Sequence, residues 1–230
     1  MLGTVINAAA IIVGTLLGNF LKGRFSENVR DTVMQGLSLT VMLIGLSMAI
    51  KTQNLLVVTI SLVLGGILGE VLELEERLNM LGKRLEERFS RGDGDFTRAF
   101  VSASLIYCVG AMAIMGAIQS GLTGNHGILL IKSILDGVSA VVFSSSMGIG
   151  VAFSALPVFL YQGSITLAAA FVKGFLTDAI IKEMTATGGL LIFGIGINML
   201  ETNVKIKVGN LLPAIFIAVF LTALFPRLPI

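Results

Sequence analysis

"MLGTVINAAAIIVGTLLGNFLKG", residues 1–23, runs from Met1 to Leu21 without one charged side chain and meets its first at Lys22. At 1.5 Å of rise per residue, about 20 such residues cross the ~30 Å hydrocarbon core of a bilayer. A secretory signal would begin with basic residues, whereas here they follow the apolar run, so the stretch is expected to stay as a first membrane helix.

Working outward, similar runs recur at 34–50, 55–72, 98–118, 128–147, 156–180, 184–200 and 208–225, which with 3–21 makes about eight spans. The composition agrees: 55% hydrophobic, 13% charged and a mean hydropathy of +0.94, against roughly a quarter charged in a soluble domain. The expectation is an all-α polytopic membrane protein forming one integral membrane domain over 1–230. No soluble catalytic domain is left room, and nucleic acid is not an expected partner. The chain has no G-x-x-x-x-G-K-[ST] phosphate loop, no H-E-x-x-H pair and no G-x-S-x-G elbow. Cys108 is alone, so it forms no intramolecular disulfide, and His126 has no second ligand nearby in sequence. An enzyme, a cofactor and a bound metal are therefore not expected.

Positive residues set orientation. Lys22, Arg24 and Arg30, with Arg77, Lys83, Arg84, Arg88, Arg91 and Arg98, fall on one side of the first spans, against Lys51 on the other. Because Lys and Arg are retained in the cytoplasm, the amino terminus is expected outside. The carboxy-terminal half is balanced, with Lys205 and Lys207 set against Lys182 and Arg227. Between spans three and four, "LELEERLNMLGKRLEERF" (72–89) repeats Leu74, Leu78, Leu81, Leu85 and Phe89 among charges. That pattern predicts an amphipathic cytoplasmic segment over 72–98, ended by a turn at "SRGDGD", 90–95. It lies on the inner leaflet, or serves a partner or a gate.

"INAAAIIVG" (6–14) resembles "ITLAAAFVKG" (165–174), and "NLLVV" from Asn54 resembles "NLLPA" from Asn210. Spans one to three are thereby matched to spans six to eight, which under an eight-span count is an inverted repeat, as in many secondary transporters. Ala10, Gly14 and Gly18 recur every fourth residue, as do Ser61, Gly65 and Gly69. Such small-residue stripes let backbones approach closely, within a tight bundle or at a homodimer seam.

Polar groups inside the spans are the candidate site. "LLIKSILDGV" (129–138) places Lys132 and Asp136 four apart on one helix face, with Asp136 near mid-membrane. An ionised group there costs at least about 2.5–3.5 kcal/mol. Two readings stand: a mutually neutralised pair, or, preferred, a pair that faces an aqueous path or binds a solute. "FSSSMGIGVAFSALPVFLYQG" (143–163) adds Ser144, Ser145, Ser146 and Gln162 to the candidates. Its glycines and Pro157 fit a broken membrane segment or a plain cytoplasmic connection. Asn7, Asn198 and Asn210 are accounted for by interhelical hydrogen bonds.

The stretches "MLGTVINAAAIIVGTLLG", "KSILDGVSAVVF", "GIGVAFSALPVFLYQGSITL" and "GNLLPA" resemble the YqgA-like bacterial inner-membrane proteins, a domain-of-unknown-function group, essentially end to end. The resemblance implies a multi-pass protein of a prokaryotic cytoplasmic membrane and brings no activity with it. From the residues, the expected function is ion-coupled or passive transport of a small polar solute or ion across the bilayer. The alternative is a non-transporting scaffold or sensor subunit that acts through the 72–89 helix.

Overall fold

The computed structural model describes residues 1–21, 27–89, 96–200 and 205–224, and among these there are helices and no strand. The expected turn at 90–95, together with Lys22, Arg24, Arg91 and Arg227, lies outside the described residues. In chain order the helices are α1 Leu2–Leu21, α2 Glu27–Ala49, α3 Leu55–Val71, α4 Leu74–Phe89, α5 Phe96–Cys108 and α6 Ala111–Thr123. There follow α7 Gly127–Met147, α8 Gly150–Phe153, α9 Ala155–Leu167, α10 Ala169–Phe175, α11 Asp178–Met199, α12 Val208–Leu211 and α13 Pro213–Leu224.

Five stretches are long and apolar enough to cross a bilayer: α1, α2 from Asp31, α7, α8 with α9, and α11. Two bent pairs, α3 with α4 and α5 with α6, raise the number to seven, each bent by 59°. The apolar helix Val208–Leu224 is shorter. This is a polytopic all-α membrane protein. The eight expected runs each find a helical counterpart, with three differences in kind. The fourth run is broken in its middle, the sixth begins earlier, at Gly150, and ends at Leu167, and the eighth is the short one.

The chain divides into two compact units, Met1–Val33 with Asn79–Phe175, and Met34–Leu78 with Leu176–Ile230. In the first unit, α1 and α7 run parallel along a seam of small residues. Gly3 meets Leu129, Gly14 meets Gly137 and Ala140, and Gly18 meets Val141 and Ser144. A Cβ on Gly14 would overlap the Gly137 carbonyl oxygen, and one on Gly18 the Val141 carbonyl oxygen. Ser144 Oγ adds a 2.8 Å hydrogen bond to the Thr15 carbonyl. α8 and α9 also pack on α1. The amphipathic α4 is tied to the start of α5, where Gly82 lies against Thr97 and Thr97 Oγ1 donates to Glu86 at 2.8 Å.

In the second unit, α3 runs antiparallel to α13, with Gly65 on Ala214 and Gly69 on Asn210. α2 runs antiparallel to α11, Gly45 meeting Gly189 and Phe193 while Gly196 meets Met42. Both small-residue stripes read from the sequence are thus seams within the chain. Close backbone approach is how lipid-embedded helices gain contact where the hydrophobic effect no longer separates helix from solvent.

These directions constrain the number of crossings. Parallel α1 and α7 require an even number of traversals between their starts, which α1, α2, α3 and the α5–α6 pair supply if the bent pair crosses once. The antiparallel pairs α2 with α11 and α3 with α13 each require an odd number, and five traversals separate their starts. The sequence repeat matches the first span to the sixth, the second to the seventh and the third to the eighth. Each matched pair is in contact inside one unit.

The two matched asparagines share a local construction. Asn54 caps α3, its Oδ1 accepting from Leu56 N at 3.1 Å and Val57 N at 3.3 Å. The preceding residue, Gln53, donates its N–H to Glu183 at 2.6 Å, and Asn54 N and Thr52 Oγ1 donate to the same carboxylate. At the start of α12 the residue before Asn210, Gly209, donates its N–H to Glu75, also at 2.6 Å. Asn210 accepts from Glu75 N and donates to Glu70, each at 2.7 Å. In both places a carboxylate meets N–H groups that a helix start leaves unpaired, where the helix dipole also favours negative charge.

Candidate functional site

α7 begins at Gly127, which sets Asp136 nine residues, about 13 Å, into the helix. The i, i+4 spacing closes as expected: Lys132 Nζ donates to Asp136 Oδ1 at 2.9 Å and to Oδ2 at 2.6 Å. Both side chains are buried, each residue 6% exposed. The pair does not stand alone. Asn7 of α1 donates through Nδ2 to Asp136 Oδ2 at 3.0 Å and to Gln162 Oε1 of α9 at 3.3 Å. Asn7 and Gln162 are fully buried. Three helices therefore contribute to one polar cluster, with Gln162 joined to the carboxylate through Asn7.

The chemistry of that carboxylate dictates how the two amides point. Asp136 Oδ2, already accepting from Lys132, can face only a donor, so Asn7 turns its NH₂ inward. Gln162 must then present its oxygen to the same NH₂. The far atoms, Asn7 Oδ1 and Gln162 Nε2, are left buried without a partner among the described residues, and so is Thr4 Oγ1 one turn earlier on α1. A buried polar atom left unpaired costs about 1–3 kcal/mol, and such atoms are normally met by water or a ligand. The arrangement offers one free acceptor and one free donor beside a charge pair that sums to zero.

Tyr107 closes the other flank. Its ring centroid lies 6.0 Å from Lys132 Nζ, within cation–π range, and its hydroxyl accepts from Ser139 at 3.3 Å. It sits in the last turn of α5, just before the chain breaks at Val109 and Gly110. Gly110 has φ 138, a backbone conformation that side-chain-bearing residues rarely adopt. The discontinuous membrane helix is thus the α5–α6 pair, and its break adjoins the buried charges. The 143–163 stretch is helical nearly throughout. α7 continues to Met147, Gly148 turns at φ 90, and α8 and α9 form the next crossing. Pro157 and the Gln162–Gly163 step do not unwind it, because neighbouring turns keep the backbone bonded.

Of the residues singled out by sequence, Lys132, Asp136 and Gln162 come together. Ser144, Ser145 and Ser146 lie two or more helical turns further along α7. Ser144 is engaged with the Thr15 carbonyl, Ser145 is half-buried and bonds Val142 O at 2.7 Å, and Ser146 is buried. Gly14 and Gly18 hold α1 against α7, and Gly65 and Gly69 hold α3 against α13. Asn198 clasps Ile206 through both its amide atoms, at 2.7 and 2.8 Å, and serves as an internal staple. Sequence reasoning missed Asn7, Tyr107 and Gly110 as members of the site. The signal for Asn7 was present: it shares a helix face with Gly14 and Gly18. Nothing in "IYCVGAMA" (106–113) distinguishes Gly110 from the many tolerated glycines elsewhere.

The chain is 32% identical over 223 residues to the uncharacterized membrane protein YdfK of Bacillus subtilis (strain 168), covering 94% of this chain and 93% of that one. It is 29% identical over 228 residues to the uncharacterized protein YqgA of Escherichia coli (strain K12), covering 97% of each. No solved structure matches it. Residues 2–223 match the model of a family described as protein of unknown function (DUF554), and the chain, a multi-span helical membrane protein with a buried charge cluster, belongs to that family.

Proposed function

We propose that this protein transports a small polar solute or ion across the cytoplasmic membrane of a prokaryote, by a passive or ion-coupled route, with its amino terminus outside. The observation that carries the reading is the buried cluster of Asn7, Lys132, Asp136 and Gln162, in which Asn7 Oδ1 and Gln162 Nε2 have no partner among the described residues. A purely structural ion pair in lipid is easily replaced by apolar packing and has no use for an unpaired donor and acceptor beside it. Charged groups in membrane spans mark solute and ion pathways by default. A broken helix at the same depth, here α5–α6, is tolerated where it is enclosed by protein or lines a cavity.

The chemistry narrows the solute. Lys132 and Asp136 cancel, so a molecule of no net charge enters without leaving an excess charge in the bilayer. Asn7 Oδ1 asks for a donor and Gln162 Nε2 for an acceptor. A small neutral or zwitterionic molecule carrying both groups close together satisfies them.

The test is uptake by proteoliposomes containing only this protein, with a panel of radiolabelled small neutral and zwitterionic solutes and inorganic ions, beside an Asp136→Asn variant that elutes and melts like the parent. Flux in the parent and none in the variant supports the reading. Absence of flux for every solute, or equal flux in both, removes it.

A further inference from the structure

The polar groups of the first unit do not stop at the charge pair. Thr4 lies one turn before Asn7 on the buried face of α1, wholly enclosed, with Oγ1 unpartnered. The residue beside it, Gly3, packs against His126, the residue that precedes α7; a Cβ on Gly3 would stand 3.3 Å from that of His126. His126 Nδ1 shares a 2.8 Å hydrogen bond with Ser120 Oγ of α6. His126 is half-buried, and its neighbour Asn125 is exposed. Between this surface and Asp136 lie three fully buried side chains, Thr4, Asn7 and Gln162, each with an unsatisfied polar atom. Beyond Asn7 the seam is dry: Ile11 is fully buried, and Gly14 lies directly on Gly137.

We propose that Thr4, Asn7 and Gln162 line a water-filled path that joins the Lys132–Asp136 pair to the end of the unit where α1 begins, with Ser120 and His126 at its mouth. Three orphaned polar atoms on neighbouring buried side chains each cost free energy if left dry, and waters bonded to two or more of them remove the penalty. Toward the other end, α1 and α7 touch backbone to backbone and leave no room for water. The path is therefore one-sided: it gives the charge pair access to the face on which α1 starts and withholds it from the opposite face. Such a path is what the transport reading requires, yet it exists or fails independently of any flux.

The experiment uses the full-length protein with Cys108→Ala, carrying Thr4→Cys, Ser120→Cys, Ile11→Cys or Leu129→Cys one at a time. Silver ion, small enough to follow a file of water, is applied to native membranes, and thiols left unreacted are then alkylated in denaturant and counted by mass. Loss of the alkylatable thiol at positions 4 and 120, with full retention at 11 and 129, is the expected result. Retention at 4 in protein that melts like the parent overturns the path, and so does equal loss at 4, 11 and 129. Ser120→Cys serves as a second entry point should Thr4→Cys not fold, and its retention also overturns the path. Silver access at Thr4 without solute flux keeps the path and removes the transport reading. Flux that depends on Asp136 without silver access does the reverse.

Discussion

Gly14 and Gly137 meet backbone to backbone, so that a single added methyl at Gly14 would run into the carbonyl oxygen of the residue that follows Asp136. Helix packing and the charge cluster are thereby one structure: the glycine contact sets the height at which Asn7 of α1 reaches Asp136 of α7.

Gly14→Leu should therefore lower stability by about 1–3 kcal/mol or more, as overpacking does, and should also break the Asn7 to Asp136 bond. Gly65→Leu should destabilise to a similar degree through Ala214 while leaving the cluster intact. Thermal unfolding of both in detergent, with solute flux, separates them. Flux surviving in a folded Gly14→Leu protein would show that the register of α1 does not matter to the site.

The ion pair has a signature of its own. Lys132→Met alone leaves a buried carboxylate held only by Asn7, and breaking one partner of such a pair typically costs about 3–5 kcal/mol. The double variant Lys132→Met, Asp136→Leu should recover most of that stability and yet be inactive. Melting temperature and flux are measured together. Wild-type flux in the double variant would make the charges structural.

Most of the architecture was legible because lipid leaves few choices. Apolar length gave the spans, and Ala10, Gly14, Gly18, Ser61, Gly65 and Gly69 gave seams that the structure places against α7 and α13. Lys132 and Asp136 announced themselves by their cost in an apolar run. The partners of that pair were not legible. Asn7 lies 129 positions from Asp136, and Gln162 lies 155 positions from the Asn7 it bonds; both meet only through packing, a long-range fact that no local pattern encodes. The break in the fourth span was hidden for a different reason. Gly110 is one glycine among 27, and its positive φ, shared with Gly124 and Gly148, is invisible in sequence. The 143–163 stretch misled in the opposite direction, since Ser, Gly and Pro are tolerated in membrane helices more readily than in soluble ones.

Glu183 is predicted to be a structural keystone of the second unit. Glu183→Ala takes the carboxylate from Gln53 N and the Thr52 hydroxyl and leaves Asn54 N its bond to Thr52 Oγ1; with Gln53 exposed and Thr52 and Asn54 half-buried, a loss of about 1–3 kcal/mol is expected. Glu183→Gln keeps one acceptor oxygen and should lose less. Equal melting temperatures for the two variants would mean that the helix start at Asn54 is held by its own side chain alone.

Orientation is open to direct measurement. In a Cys108-free background, single cysteines at the exposed positions Gln53 and Asn125 should react with an impermeant maleimide added to intact cells, and one at Lys83 should not. The asymmetry of Lys and Arg motivates this. Labelling at Lys83 in unbroken cells would invert the topology.

The parallel contact between α1 and α7 also sets an order of events during synthesis. Gly3 and Leu129 are neighbours in the finished protein but leave the ribosome 126 residues apart, which at about 5–20 residues per second is roughly 6–25 s. Throughout that interval α1 stands in the bilayer with Thr4 and Asn7 facing lipid or a borrowed partner. When α7 arrives, its carboxylate enters a membrane that already holds a waiting amide. The nascent chain is most vulnerable to degradation and to an insertase's absence in that window, so ribosome-bound chains halted before Gly127 should be cleaved by membrane proteases that spare chains halted far enough beyond Met147 for α7 to have left the ribosome.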